Sequence, residues 1–558
     1  MSGRKVRNLG FFAGPALLAL SAILASLAFP NPVSEKGWSY LAFISLVPMF
    51  FVVDKASWKS IWLDGFVYGF VFYLVYNYWL KTFHPLAILI APILESLQYL
   101  LLLPLLKAAN SLYRRRGYLA QTVCYVGYLY LTQQGFLGYP YGNISAALWN
   151  RPLLIQTASI FGIWGICLML VLPQTFVAQR LAKRQDGQLR TFRTDGIVYG
   201  TLALACLAFG AVTLHWYDTA EPERTMRIAT VQHSADSWKG GYATYERNFE
   251  TLSSLTLEAM EESPDMVVWS ETAFVPSVAW HTAYPSNAMA SKLCDRFVDF
   301  GKGLSVPLVT GNPEGLIKDE TIPAILPDGS WNWKTYNTVI LFGEGDILGT
   351  YRKQRLVPFT EHFPYEKQFP WLYRLLLAND YKWWEKGTEA TVFGWDGLAF
   401  STPICFEDTF GYLNAAFVRN GADLLMNLTN DSWSGAVAAQ MQHMQLSVFR
   451  AVENRRPLLR STNSGMTCLV LPSGRVIDIQ EPFTESWHIY DVPIGQREGL
   501  TFYTEHPDFL GKVCLFLSPV TLLAGAIATV RRRKASRIEA LYVRYEGLFE
   551  KMDERCEC

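Results

Sequence analysis

Apolar residues fall in long unbroken runs through the first part of the chain, at 9–29, 38–53, 61–80, 85–106, 118–134, 152–178 and 195–216, and once more at 511–530. Each run is near the ~20 residues that carry a helix across a hydrocarbon core, so the pattern predicts about eight membrane spans. The run at 38–53 is short, and Gln121, Thr132 and Gln133 interrupt the one at 118–134. The parity of the spans is therefore better defined than their ends. Between 218 and 510 the pattern changes to short β-rich runs separated by helical stretches and Gly/Pro/Asn turns, which predicts an α/β domain. The runs are 226–232, 265–271, 306–312, 336–342, 397–407, 422–431, 456–465 and 467–474. Each is nearly continuous in apolar residues, as in strands covered on both faces.

Charge gives this pattern an orientation. The 558 residues are 50% hydrophobic, 14% aromatic and 18% charged, too apolar for a wholly soluble chain. Basic residues occupy alternate connections: Arg4, Lys5 and Arg7; Lys55 and Lys59; Lys107 and Arg114 to Arg116; Arg180, Lys183, Arg184, Arg190 and Arg193; and Arg531 to Arg533, Lys534 and Arg537. Connections 30–37, 81–84 and 135–151 hold few. By the positive-inside rule both ends are expected in the cytoplasm and 218–510 outside. The first run reads as a retained span rather than a cleaved signal, because more spans follow and no small-residue cleavage site stands out. The expected organisation is a membrane domain of about seven spans at 1–217, an outer domain at 218–510, a last span at 511–530 and a cytoplasmic tail at 531–558. Zero net charge, with no basic stripe interleaved with aromatics, argues against a nucleic-acid partner.

Nine cysteines show no paired spacing. Three of them, Cys294, Cys405 and Cys468, fall in the outer domain, an odd set that points to a free thiol rather than a disulfide framework. The tail pair Cys556 and Cys558 reads as incidental. Glu271 follows "MVVWS", Cys405 follows "LAFSTPI", and Lys353 lies in "GTYRKQRLVPFTE". Singly, such a cysteine is more often a buried small hydrophobe and such charges are more often solvated. Together, at successive strand ends, they are the types that deprotonate a thiol, attack a carbonyl and hold the oxyanion. In that scheme Cys405 is the nucleophile, Glu271 the general base and Lys353 the charge stabiliser. No histidine is required. His443 in "MQHMQ" reads as a packing or hydrogen-bonding residue, and Asn427 and Asn463 as caps of strand ends. The segment 369–387, "FPWLYRLLLANDYKWWEKG", brings Trp371 and Leu375 close in sequence to these elements. It is either core or an arm dipping into the membrane interface, where aromatic and basic residues sit well.

At these residues the chain resembles the nitrilase (carbon-nitrogen hydrolase) superfamily and, within it, the apolipoprotein N-acyltransferases. "YRKQRLVPFTEHFP" resembles the family's lysine block, with a second glutamate at Glu361, and "ICFEDTF" its nucleophile block, with Glu407 two residues after the cysteine. "IATVQHSADSWKG", "ADLLMNLTNDSWSG" and "GYPYGN" continue the similarity. The resemblance implies an αββα sandwich on a helical membrane bundle. It implies supporting roles for Glu361 and Glu407 and substrate contacts from Trp238, Asn337 and Phe406, to which the arm adds Trp371. It also implies a bacterial inner-membrane acyltransferase with a periplasmic catalytic domain. A fatty acyl chain would pass from a phospholipid, through a thioester, to the α-amine of a diacylglyceryl-cysteine lipoprotein. The protein is expected to act as a monomer in the bilayer, without metal or cofactor. The sequence departs from the family pattern at Phe406, commonly Tyr, in lacking Gly-Pro before the Gln-His pair, and in lacking Glu-Trp-Leu-Arg ahead of "GYPYGN". Rival readings are a membrane-anchored amidase that passes the acyl group to water and a non-catalytic membrane scaffold.

Overall fold

The computed structural model describes residues 12–83, 85–113, 115–182, 189–237, 239–378, 383–496 and 499–556. Arg4, Lys5, Arg7, Arg114, Lys183, Arg184, Trp238 and Cys558 therefore lie outside the described residues. Four helices, Ala87–Ser111, Ala158–Ala182, Arg193–Thr219 and Phe509–Glu546, are long and apolar enough to cross a membrane. Ala13–Leu27 and Ile61–Tyr76 are apolar but shorter. The run at 38–53 is not one continuous helix. It forms a 3-10 turn, Ser39–Phe43, and a helix of 9 residues, Val47–Lys55, about 14 Å long. The long helices present leucine, isoleucine and valine outward, among them Leu89, Ile90, Leu94, Leu97 and Leu101, then Ile197, Leu204 and Val212. Such a surface suits lipid rather than water, and the chain is a membrane protein. Helices Ile61–Tyr76 and Ala87–Ser111 approach closely because Gly65 and Gly69 face Tyr99. A Cβ on Gly65 would lie 2.2 Å from the Tyr99 carbonyl oxygen, and one on Gly69 2.7 Å from its ring.

In the second half the strands are β1 (Arg224–Gln232), β2 (Met266–Trp269), β3 (Leu308–Gly311), a small hairpin β4 (Glu314–Ile317) and β5 (Trp333–Tyr336), β6 (Thr338–Gly343), β7 (Asp346–Arg352), β8 (Phe393–Trp395), β9 (Leu398–Ser401), β10 (Leu424–Thr429), β11 (Leu458–Thr462), β12 (Cys468–Val470), β13 (Val476–Ile477) and β14 (Ser486–Ile494). They form two six-stranded sheets in the orders β14-β1-β2-β3-β6-β7 and β13-β12-β11-β10-β9-β8. The inner strands β1, β2 and β3 run parallel, as do β9, β10 and β11.

Alternation along the strands explains the layering. On the first sheet Ile228, Met266, Val268, Val309, Val339 and Leu341 face the second sheet, whose Phe400, Leu424, Met426 and Leu428 join the same core. The opposite face, with Ala229, Val267, Trp269, Leu308 and Ile340, packs on helices Tyr242–Met260 and Ala288–Gly303. Helices Gly411–Arg419 and Val437–Asn454 belong with the second sheet, which gives the αββα order.

The helix Val437–Asn454 also joins the two halves, and every residue from Ala438 to Asn454 is buried. Its Gln442 Nε2 donates to the Pro30 and Tyr76 carbonyls, both at 3.0 Å, and its Oε1 accepts from Trp79 Nε1 at 3.0 Å. Glu453 Oε1 accepts the Ile163 N–H at 3.0 Å.

The expected strand at 397–407 stops at Ser401. Pro403 has no N–H for a ladder, and Ile404 makes only an isolated bridge to Leu428.

Candidate active site

The strand ends of both sheets meet at one place. Glu271 lies two residues beyond β2 and Lys353 directly follows β7, both on the first sheet. Cys405 lies four residues beyond β9, on the second. Gly311 allows the packing around Glu271, since a Cβ there would stand 2.2 Å from the Thr272 nitrogen and 2.7 Å from Glu271 Cα.

Cys405 opens a 3-10 turn, Cys405–Thr409, with φ of 50°. A non-glycine residue in this region costs about 1–3 kcal/mol, so the surrounding bonds have to hold it. Glu407 supplies most of them. Its Oε2 accepts the Ile404 N–H at 2.7 Å and the Tyr351 hydroxyl at 2.8 Å. Its Oε1 accepts the Gln354 and Arg355 N–H groups at 2.6 and 2.8 Å. One buried carboxylate thus ties the cysteine turn to the loop that carries Lys353. Burial pushes Glu407 up to about 7 against the pull of the Ile404 and Arg355 N–H groups and of Lys353. Asn427 was expected to cap a strand end. It lies inside β10 instead, where its Nδ2 donates to the Pro403 and Cys405 carbonyls, each at 3.1 Å. Asn463, just past β11, joins loops by donating to the Ala235 carbonyl at 2.8 Å and to Asn430 Oδ1 at 2.7 Å.

Lys353 is fully buried and its Nζ lies 3.1 Å from Glu271 Oε1 and 2.8 Å from Glu361 Oε1. Glu361 Oε2 accepts the Val357 N–H at 2.8 Å. Asn337, expected against substrate, is buried and gives its amide to Glu271 Oε1 at 2.8 Å and Glu361 Oε1 at 3.5 Å. Glu271 Oε2 accepts the Asn430 N–H at 2.8 Å. Burial works against the Lys353 charge, but Glu271 and Glu361 outweigh it and raise its pKa well above the ordinary value. Two carboxylates beside one ammonium leave a net negative surrounding for the thiol. Burial, then the Glu271 charge, push Cys405 well above the usual thiol range, while Lys353 pulls it down. The resting nucleophile is therefore a protonated thiol that needs a base as it attacks.

A second buried cluster braces the first. His443 Nδ1 lies 3.1 Å from Asp431 Oδ1 and His443 Nε2 lies 3.0 Å from Asp408 Oδ1. Arg460 bonds Asp408 and stands 3.6 Å from Asp431 Oδ2. Burial would lower His443, but Asp408 and Asp431 outweigh it and hold it up to about 9. Asp408 belongs to the cysteine turn, and Asp431 adjoins the Asn430 N–H bonded to Glu271. The sequence reading found His443 as a hydrogen-bonding residue but not its partners. Their signal was an aspartate three residues after the cysteine, in "CFED", and another two residues past β10, in "LTND".

Phe406 is buried, stacked on Tyr141 with centroids 6.3 Å apart and edge-on to Phe410 at 4.9 Å. The arm segment resolves in favour of exposure over core packing. The helix Pro370–Leu377 buries none of its residues, and Trp371 is 63% and Leu375 53% exposed.

The comparisons with known proteins concern the chain as a whole. Residues 21–175 match the model of the apolipoprotein N-acyltransferase N-terminal domain, and 227–499 that of carbon-nitrogen hydrolases. The apolipoprotein N-acyltransferase 1 of Treponema denticola is 37% identical over 518 residues, covering 90% of this chain and 95% of that protein. The apolipoprotein N-acyltransferase 1 of Treponema pallidum is 36% identical over 533 residues, covering 92% and 96%. The apolipoprotein N-acyltransferase of Chlorobaculum tepidum is 29% identical over 547 residues, covering 92% and 96%.

Proposed function

Since the chain belongs to the apolipoprotein N-acyltransferase family, we propose that it moves a fatty acyl chain from a phospholipid to the α-amine of a lipoprotein's N-terminal diacylglyceryl-cysteine, through a thioester on Cys405. The observation that carries this reading is the Glu271–Lys353–Glu361 set, hydrogen-bonded and buried, at the strand ends that meet the Cys405 turn.

In the first half-reaction Glu271 takes the Sγ proton as sulfur attacks the ester carbonyl. Lys353 holds the charge on the carbonyl oxygen. The C–O bond then breaks, and Glu271 returns the proton to the departing lysophospholipid hydroxyl. In the second, the acceptor amine attacks the thioester, Glu271 takes its proton, the C–S bond breaks and Cys405 regains a proton. Glu271 Oε2 accepts one hydrogen bond among the described residues, which leaves a lone pair for this traffic. Glu361 and Asn337 position Lys353 and Glu271. Phe406 and Trp371 act on substrate as wall and arm.

The domains proposed are a membrane bundle at 1–217 of about seven spans, a periplasmic catalytic domain at 218–510, a span at 511–530 and a cytoplasmic tail at 531–558. They lie in the inner membrane of a bacterium. Alternating basic connections support this topology. Confinement of both substrates to one plane explains why a nitrilase-like domain is tied to a bundle.

The test is a reconstituted reaction in phospholipid vesicles with a diacylglyceryl-cysteine peptide. The reading requires an N-acyl peptide in step with lysophospholipid. Free fatty acid with no acyl peptide would mean that water is the acceptor and the protein a membrane-anchored amidase.

A further inference from the structure

The apolar helix Ala87–Ser111 carries one carboxylate, Glu95. It stands about 12 Å from the start of the helix at the rise of an α-helix. A charge inside a membrane helix is costly and tends to mark a site of function. Glu95 is half-buried, so it reaches the surface of the bundle. Among the described residues its hydrogen-bond partner is a neutral amide: Gln98 Nε2 donates to Glu95 Oε2 at 3.0 Å and to the Tyr73 hydroxyl at 3.0 Å. No ion pair among the described residues involves it.

Tyrosines lead from this point to the catalytic turn. Tyr73 meets Tyr76 edge-on at 6.4 Å, and the Tyr76 hydroxyl accepts the Gly142 N–H at 3.2 Å. Three residues before Gly142 the chain begins a stacked pair, Tyr139 on Tyr141 at 5.0 Å, and Tyr141 stacks on Phe406 beside Cys405. A half-buried carboxylate with no ion-pair partner among the described residues, beside an amide and tyrosine rings, is a combination that can receive an ammonium group out of water.

We propose that Glu95, with Gln98 and Tyr73, binds the ammonium group of a lipid-borne substrate on its way to Cys405. This rests on the acyl-transfer reading above, in which the acceptor offers a free α-amine and a phospholipid donor such as phosphatidylethanolamine an ethanolamine head. Gly65 and Gly69 hold the two helices together below the site, so the carboxylate has a fixed frame to work from.

The experiment measures binding on full-length Cys405→Ala protein in nanodiscs, which removes turnover from the readout. A diacylglyceryl-cysteine peptide with a free amine is compared with its N-acetylated form in phosphatidylglycerol discs, and the free peptide is measured again in phosphatidylethanolamine discs. The free amine is expected to bind about tenfold tighter than the acetylated form. Glu95→Gln should erase that ratio and Glu95→Asp should keep part of it. A ratio near one, with phosphatidylethanolamine discs weakening peptide binding only when Glu95 is present, supports the same site serving the donor head.

A ratio that survives Glu95→Gln overturns the proposal. So does the absence of any amine or headgroup preference. If Glu95→Gln does not fold, the ratio in the Glu95 protein and its shift in Glu95→Asp decide the matter. The acyl transfer is scored separately in Cys405 protein: loss of N-acyl product with the ammonium preference intact sinks the reaction and keeps the site, and the converse sinks the site alone.

Discussion

The strand ends that carry Lys353 and Cys405 and the arm between them in sequence are two regions of opposite character. The strand ends are locked. Lys353 is fully buried, Glu407 accepts four hydrogen bonds, and Asp408, Asp431, His443 and Arg460 form a buried charge cluster. The arm at Pro370–Leu377 buries nothing and presents Trp371 and Leu375 outward. Chemistry that moves protons among fixed groups needs the first kind of structure, because a small misplacement is expensive in rate. Taking a lipid from a bilayer needs the second, because an exposed amphipathic helix can follow its substrate into the interface. The two demands meet in one loop system and are divided by burial.

That division can be broken at its rigid side first. Glu271→Gln and Lys353→Ala should each lower the rate of acyl loading by about 10³-fold or more, measured in a single turnover from phospholipid vesicles, while the protein stays folded. Glu407→Ala should cost about 3–5 kcal/mol, because it leaves the Ile404, Gln354 and Arg355 N–H groups and the Tyr351 hydroxyl without their acceptor. Unfolding followed in detergent checks this, and a near-neutral result would make Glu407 a bystander.

The charge cluster predicts a pH dependence of definite sign. His443 is held up to about 9, above its ordinary value of about 6.5. Its contribution, on the order of 3 kcal/mol, is fully present below about pH 6.5 and is lost as pH rises through about 9. The unfolding midpoint should fall over that window, and His443→Gln should flatten this part of the profile.

The exposed side carries the smallest effect. Trp371→Ser with Leu375→Ser should reduce transfer from vesicles about tenfold more than transfer from a short-chain soluble ester, and should change stability by no more than about 0.5 kcal/mol, as for other exposed positions. Equal losses on both substrates would place the arm in the catalytic framework and end the comparison.

The same contrast explains what could be read in the amino-acid order. Glu271 and Cys405 were legible because each follows an apolar run that ends at a polar residue, and β2, β3, β6, β10 and β11 were legible for the same reason, whereas Lys353 was legible from the block "YRKQRLVPFTEHFP" around it. The pattern did not reveal β7 or β14. Both are edge strands, and their mixed burial leaves no continuous apolar signal. Asn427 was misassigned because strand interiors seldom hold an asparagine. Here it has the Cys405 carbonyl as a partner 22 residues away. The link from His443 to Asp408 spans 35 residues, and that from Arg460 to Asp408 spans 52. Neither leaves a local trace, since only the packed sheets bring them together. The membrane half was legible in its apolar runs and less so in its helices. The stretch 38–53 had the composition of a span but folds as a turn and a short helix.

The most direct test of the whole account is to find the acyl group. Purified protein incubated with phospholipid and digested should carry one fatty acyl adduct, a hydroxylamine-sensitive thioester on the peptide containing Cys405. The adduct should disappear on addition of a diacylglyceryl-cysteine peptide, with N-acyl peptide formed in equal amount. An adduct on another residue, or transfer that proceeds undiminished in Cys405→Ala, would contradict it.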